Sequence, residues 1–128
     1  MTTLLLADDH EVVRQGMRRL LEAERDLRVV AETGDGLEAV ELVERHKPNV
    51  LIVDMMMPGL NGLEVTRQVR ERSPRTKILI LSMHANEAYV VEALRNGATG
   101  YALKDAASAD RSSLRLTRPL FPAILTAV

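Results

Sequence analysis

The stretch VLIVDMMMPGLNGLEV, residues 50–65, decides the fold of this chain. It begins with four apolar residues, reaches Asp54, and turns at Pro58 and Gly59 before an amphipathic segment starts at Gly62. A short apolar run followed by turn residues and a helical pattern is typical of a strand–loop–helix unit in a parallel sheet. An aspartate directly after a strand as apolar as Leu-Ile-Val is also difficult to explain as an ordinary loop residue.

The same unit recurs on both sides of this stretch. We predict strands over Thr3–Ala7, Leu27–Glu32, Val50–Val53, Lys77–Leu81 and Thr99–Leu103, and helices over Glu11–Glu24, Leu37–His46, Gly62–Arg72 and Glu87–Asn96. Alternating strands and helices predict an α/β fold, a doubly wound parallel sheet with right-handed crossovers. The polar flanks of the second strand place it at an edge. The strand order 2-1-3-4-5 is adopted as a common order of such sheets.

The composition excludes several classes of protein. Of the 128 residues 46% are hydrophobic and 27% charged, and the net charge is −1, so no whole-chain field attracts nucleic acid or an anionic membrane. There is no cysteine, which excludes a disulfide framework and a thiolate metal site. No apolar run approaches a bilayer span and no signal-like segment precedes the first strand. We therefore expect a cytoplasmic chain without membrane association.

Four of the five predicted strands end in a side chain that can take part in chemistry. Asp8 and Asp9 follow the first strand, Asp54 the third, Ser82 the fourth and Lys104 the fifth. In a doubly wound sheet, ligands bind outside the carboxyl ends of the strands. With strands one and three as neighbours, we expect the three aspartates to converge at that edge.

Three neighbouring carboxylates repel one another. Two unit charges about 4 Å apart interact by about 4 kcal/mol at an effective dielectric constant of about 20. The cluster must take up protons, separate or bind a cation, and its oxygen ligands favour a hard ion such as Mg²⁺. His10, His46 and His84 share no short metal-binding spacing, so we predict no zinc site. A nucleophilic carboxylate, a metal, an amine and a hydroxyl together are the parts of a phosphoryl-transfer site.

Four stretches carry a resemblance to a known family: LLLADDHEVVRQGMRRLL, VLIVDMMMPGLNGLEV, ILILSMHA and GATGYALKDA. They resemble the NarL/FixJ (LuxR-type) branch of response-regulator receiver domains, over about residues 3–107. The resemblance implies the CheY-like, flavodoxin-like fold. It also implies a phosphorylation-controlled signalling switch of a two-component system that takes its phosphoryl group from a sensor histidine kinase. No enzyme activity is implied beyond assistance with its own phosphorylation and dephosphorylation.

The resemblance also implies a role for each aspartate. Asp54 would be the phosphoacceptor. Asp9 would bind Mg²⁺ (or Mn²⁺) directly, together with Asp54 and the backbone carbonyl of Met56. Asp8 would act on the metal through a bound water.

Further roles follow from the same resemblance for residues on the fourth and fifth strands. Ser82 and Lys104 would bind phosphoryl oxygens, and Tyr101 would be an aromatic switch that turns inward as Ser82 moves. Met56 and His84 would flank the hydrolytic water and tune the lifetime of the phosphoryl group. Taken singly, each residue has a plainer explanation: a helix cap for Asp8-Asp9 or Ser82, a solvated side chain for Lys104, packing for Tyr101. Their joint placement at strand ends favours the functional interpretation.

Three rival functions follow from the same fold class. A haloacid-dehalogenase-type phosphatase would normally need a second aspartate where Met56 stands. A flavodoxin-like cofactor binder would need a phosphate loop after the first strand, where Asp8-Asp9 would repel phosphate. A receiver-shaped interaction module that is no longer phosphorylated is favoured only by the unusual end of the chain.

That end, residues 108–128, departs from the family pattern. Residues 1–107 are predicted as the receiver domain, and the family would continue with an amphipathic fifth helix and then a DNA-binding domain. Here Leu114 and Leu116 are two apart, and Pro119 and Pro122 interrupt any helix. We predict an irregular or displaced fifth helix, arising either from a frameshift or as a genuine variant. We expect no DNA binding by this chain, although a full-length parent would bind DNA; whether the chain forms a homodimer stays open.

Overall fold

The architecture is a parallel sheet flanked by helices, seen in a computed structural model that describes residues 1–82 and 87–103. Within these ranges the strands are β1 (Thr2–Ala7), β2 (Leu27–Thr33), β3 (Val50–Asp54), β4 (Lys77–Ser82) and β5 (Gly100–Leu103), and the helices are α1 (Glu11–Glu22), α2 (Gly36–His46), α3 (Gly62–Arg72) and α4 (Glu87–Arg95). The described strands pair in parallel in the order β2-β1-β3-β4-β5. The predicted fold class, the strand order and the edge position of β2 are therefore confirmed. The predicted irregular fifth helix and the tail lie outside the described residues.

The sheet separates two layers of apolar core. The layer on one face joins the sheet to α2, α3 and α4, and its buried residues include Leu5, Leu51, Val53, Ile80, Val40, Val65 and Ala93. The layer on the other face joins the sheet to α1, and its buried residues include Leu4, Leu6, Ile52, Leu81, Met17 and Leu21. Successive residues of a strand point to opposite faces, so a strand covered on both sides must be apolar throughout. This is why β3 reads as a continuous apolar run. None of the helices in the described ranges is long and apolar enough to cross a bilayer.

Side-chain caps define where α2 and α3 begin. Asp35 Oδ1 accepts hydrogen bonds from the backbone N–H groups of Leu37 (2.7 Å) and Glu38 (3.2 Å). Asn61 Oδ1 accepts one from the N–H of Glu64 at 2.9 Å. Such caps satisfy N–H groups that have no partner within the helix. Each of the two helices therefore begins with a side chain that satisfies part of its first turn.

The first turn of α3 also carries an ion pair with a measurable pH dependence. Hydrogen bonds from Arg67, and next from Gln68, lower the pKa of Glu64 from 4.5 to about 2. A pKa lowered on folding contributes stability above the unfolded value of about 4.5, and that stability is lost as the pH falls towards about 2. We expect a carboxyl titration by NMR to place the midpoint of Glu64 at about 2 in low salt. The midpoint should rise in Arg67→Gln and in high salt, because an exposed pair is screened; an ordinary midpoint in the wild type would contradict the ion pair.

Candidate functional site

Three aspartates meet at the carboxyl ends of β1 and β3. These strands are neighbours in the sheet, with Ala7 paired to Val53, so Asp8 and Asp54 follow directly on adjacent positions. Asp8 is 1% exposed and Asp54 is 2% exposed, whereas the side chain of Asp9 is 36% exposed. The structure thus brings together the three carboxylates that were predicted to converge. Two of them lie at the bottom of the site and one lies at its rim.

His10 completes this cluster, and sequence reasoning missed it. Its Nδ1 lies 3.3 Å from Asp8 Oδ1, 3.4 Å from Asp9 Oδ1 and 3.6 Å from Asp54 Oδ2. One ligand atom from each of the four side chains lies within 4.8 Å of the others, a spacing that would allow them to hold a metal ion. The prediction considered the histidines only as a set and found no metal-binding spacing among them. The available signal was the position of His10 directly after the acidic pair.

Backbone hydrogen bonds fix the loop after β3 against the end of the sheet. The N–H of Met55 donates to the carbonyl of Leu81 and the N–H of Gly62 donates to the carbonyl of Met55, both at 2.7 Å. The N–H of Met56 lies 3.4 Å from Asp54 Oδ1. A Cβ at Gly62 would lie only 2.7 Å from the carbonyl oxygen of Asp54, so this return of the chain requires glycine. The loop therefore places the backbone of Met56 beside the acidic cluster.

The other predicted site residues divide between described and undescribed parts of the chain. Ser82 is the last residue of β4, next to β3 in the sheet, and it is 3% exposed. Tyr101 lies in β5 and is paired with Ile80 of β4. Its half-buried side chain packs against the core layer that includes α2, α3 and α4. Lys104 and His84 lie outside the described residues. The structure therefore places Ser82 at the same edge as the aspartates, with Tyr101 on the neighbouring strand.

A partly buried arginine on α1 bonds the backbone of the acidic pocket. Arg14 on α1 donates from Nη1 to the backbone carbonyl of Asp8 at 2.5 Å and from Nε to Glu32 Oε1 at 3.0 Å. Arg18, one turn further along α1, donates to the other oxygen of Glu32. Partial burial raises the pKa of Glu32, but hydrogen bonds from Arg18 and Arg14 outweigh it, so the net pKa is lowered. Sequence reasoning missed this network because it joins residues on separate elements.

The two arginines should differ sharply in their contribution to stability. Arg14 is 17% exposed and bonds a backbone carbonyl at the site, whereas Arg18 is 44% exposed and bonds carboxylates only. We expect Arg14→Met to lower the free energy of unfolding by about 1.5–3 kcal/mol, the range for hydrogen bonds that involve charged groups. Arg18→Met should cost about 0–1 kcal/mol, as exposed ion pairs do. Urea unfolding of both variants provides the measurement, and equal losses would show that the Asp8 carbonyl contact contributes little.

Comparison with known proteins agrees with this geometry. The model of the response regulator receiver domain family matches residues 4–113. The chain is 45% identical over 102 residues to the transcriptional regulatory protein DegU of Brevibacillus brevis, which covers 80% of this chain and 43% of DegU. It is 50% identical over 104 residues to the oxygen regulatory protein NreC of Staphylococcus haemolyticus; this alignment covers 80% of this chain and 48% of NreC.

A solved structure shows the same fold. The signal receiver domain of a NarL response regulator from Mycobacterium tuberculosis superimposes with a TM-score of 0.82 at 32% identity, over 96% of this chain and 95% of that chain. The match covers less than half the length of each of these two relatives. The matched family region nevertheless includes the four strands β2–β5 and residues 4–7 of β1. The chain therefore belongs to the response regulator receiver domains of two-component systems, in their NarL/LuxR-type branch.

Proposed function

We propose that this chain is a phosphorylation-controlled switch whose phosphoacceptor is Asp54. The observation that carries the proposal is the position of Asp54 at the end of β3. There its carboxylate is almost fully buried and lies within 4.8 Å of ligand atoms from Asp8, Asp9 and His10. A buried carboxylate among other carboxylates is poised for a reaction that involves a cation and an electrophilic phosphorus.

The phosphoryl group would reach Asp54 by a displacement at phosphorus. An oxygen of Asp54 forms a bond to the phosphorus of a phosphohistidine on the kinase, and the P–N bond breaks. The electron pair of that bond stays on the imidazole nitrogen, which takes up a proton. Ser82 would donate a hydrogen bond to one phosphoryl oxygen, and Lys104 would pair with another. Catalysis of this kind consists mainly of positioning and charge stabilisation.

The donor set fits a hard divalent ion. Carboxylate and carbonyl oxygens are the ligands that Mg²⁺ prefers. We propose that Asp9, Asp54 and the backbone carbonyl of Met56 hold the ion, with Asp8 acting through a water. Bound Mg²⁺ or Mn²⁺ would neutralise the charge of the phosphoryl oxygens. With the ion bound, the negative charge of the aspartates would no longer repel the incoming phosphoryl group.

The domain and partner assignments extend the same proposal. We propose that residues 1–107 form the receiver domain, that residues 108–128 are an atypical tail, and that a sensor histidine kinase in the cytoplasm supplies the phosphoryl group. DegU is named a transcriptional regulatory protein, and the match covers 43% of it. We therefore propose that a full-length parent regulates transcription and that its DNA binding lies outside the matched region.

Phosphorylation by a small donor tests the proposal directly. The purified chain is incubated with acetyl phosphate and Mg²⁺, and its intact mass is measured. We expect the mass of one phosphoryl group to be added, and we expect excess EDTA to prevent the addition. An unchanged mass with both acetyl phosphate and a phosphorylated kinase would support the interaction module instead. Turnover of a small phosphate ester would support the phosphatase.

We predict that the phosphorylated chain loses its phosphoryl group slowly. Met56 lies two residues after Asp54, the residue is 69% exposed, and a thioether is at best a weak hydrogen-bond acceptor. It therefore offers little to orient an attacking water. The decay of the phosphorylated mass with time gives the rate, and Met56→Asn should decay faster. An unchanged rate in His84→Ala would remove His84 from this role.

A further inference from the structure

The residue at the start of α1 is a histidine whose side chain does not cap the helix. His10 is the N-cap residue of α1, yet its side chain makes no capping hydrogen bond. N-cap side chains commonly accept a hydrogen bond from the first turn of the helix, and Ser, Thr, Asp and Asn do so best. Here the imidazole Nδ1 faces one oxygen of each of three aspartates instead. The ring is thus directed at the acidic pocket and not at its own helix.

A single ring nitrogen lies close to one oxygen of each of three carboxylates, which is the arrangement that a shared metal ion requires. Nδ1 lies 3.3, 3.4 and 3.6 Å from the three oxygens, and the first of these contacts is a long hydrogen bond to Asp8 Oδ1. A single ring N–H can also serve only one acceptor well. In an octahedral site with ligands about 2.1 Å from the ion, adjacent ligand atoms lie about 3.0 Å apart. The observed distances, 3.3–3.6 Å, are longer than that value, so the side chains would move slightly inward around a bound ion.

From this geometry we infer that His10 Nδ1 is an additional protein ligand of the metal site and biases that site towards borderline divalent ions such as Ni²⁺ and Co²⁺. The inference rests on the proposed function, because it assumes that Asp9 and Asp54 hold a divalent ion. Imidazole suits transition metals, whose affinities rise from Mn²⁺ to Ni²⁺, whereas Mg²⁺ prefers oxygen ligands alone. One nitrogen among hard oxygens therefore changes selectivity more than it changes Mg²⁺ affinity.

The backbone around His10 holds the ring in this place. The N–H of His10 donates to Asp8 Oδ1 at 2.8 Å, and the carbonyl of His10 accepts from the N–H of Arg14 at 2.9 Å, which begins the helical bonding of α1. The side chain is 50% exposed, so an ion and its remaining waters can reach the ring from solvent. Binding of a metal ion by His10 thus needs no rearrangement of α1.

Metal titrations of the full chain test the assignment. Mg²⁺ and Ni²⁺ are titrated calorimetrically into metal-free wild type, His10→Ala, His46→Ala and Asp54→Asn. His46→Ala is the matched control, because His46 is an exposed histidine at the far end of α2. We expect His10→Ala to weaken Ni²⁺ binding by about tenfold or more, at least the loss seen when a supporting residue of a metal ligand is removed. Its Mg²⁺ affinity should change far less, which also shows that the variant is folded. His46→Ala should leave both affinities unchanged.

A spectroscopic reading shows the bond itself. Pulsed EPR of the Mn²⁺-loaded chain should show a coupling to ¹⁴N that persists in His46→Ala and disappears in His10→Ala. Absence of that coupling in the wild type overturns the inference, and so does an equal loss of Mg²⁺ and Ni²⁺ affinity in His10→Ala. Tighter binding of both ions by His10→Ala would show that the ring competes with the metal, which also overturns it. If the wild type binds neither ion while Asp54→Asn behaves identically, the metal site of the proposed function fails as well.

Discussion

Asp54→Asn is expected to abolish the mass increase that acetyl phosphate and Mg²⁺ produce in the wild-type chain. The amide is neutral and nearly the same size as the carboxylate, so it fills the buried end of β3 but offers no anionic oxygen to attack phosphorus. The site has other carboxylates, but Asp8 and Asp9 follow a different strand. Because transfer needs an in-line approach to one positioned oxygen, we expect no detectable substitution by a neighbour.

Matched variants separate the acceptor from its surroundings. Asp35→Asn is the control for an aspartate-to-asparagine change, because Asp35 caps α2 outside the acidic pocket and asparagine caps equally well. It should phosphorylate like the wild type. Asp9→Asn retains the acceptor, but its phosphorylation should require a much higher concentration of Mg²⁺. A phosphorylated Asp54→Asn chain would place the acceptor elsewhere, and peptide mapping would locate it.

Gly36→Ala is expected to lower the free energy of unfolding by at least about 1–3 kcal/mol, the cost of forcing an extra methyl into a packed site. A Cβ at Gly36 would lie 2.1 Å from the carbonyl oxygen of Leu60 and 2.8 Å from the backbone nitrogen of the same residue. Backbone atoms cannot rotate away as a side chain can. Relief therefore requires α2 and the loop before α3 to separate, and the hydrogen bond from the N–H of Gly36 to the carbonyl of Pro58 (3.0 Å) would break.

Gly34→Ala provides the comparison from the same connection. There the nearest atoms to an added Cβ are Arg14 Nη1 at 3.2 Å and Asp9 Cα at 3.4 Å. At this distance the guanidinium needs to move only slightly and can keep its bond to the carbonyl of Asp8, so the loss should be clearly smaller. Urea unfolding of both variants gives the difference. Because the loop before α3 also returns from Asp54, the Gly36→Ala chain should accept phosphoryl groups more slowly when still folded. Equal stability of the two variants would contradict the close approach of α2 to Leu60.

Local patterns in the sequence were sufficient to predict the elements. Strands β1, β3 and β4 are buried on both faces, which demands the continuous apolar runs from which they were predicted. The start of α3 at Gly62 and its end at Arg72 were predicted to the residue. The helix α1 ends at Glu22, two residues before the predicted Glu24. There the N–H of Glu24 bonds the carbonyl of Leu21 in a tight turn that apolar periodicity does not reveal.

The convergence of the aspartates could also be predicted, because parallel strands bring their carboxyl ends to one edge whatever the details of packing. Only the tertiary structure decided which groups surround them. The ring of His10 among three carboxylates, the bond from Arg14 to the carbonyl of Asp8, and the contact of Gly36 with Leu60 each depend on distances of a few ångströms between separate elements. Periodicity specifies which face of an element is buried, whereas such contacts are set by how far each helix lies from its neighbours once the whole core is packed.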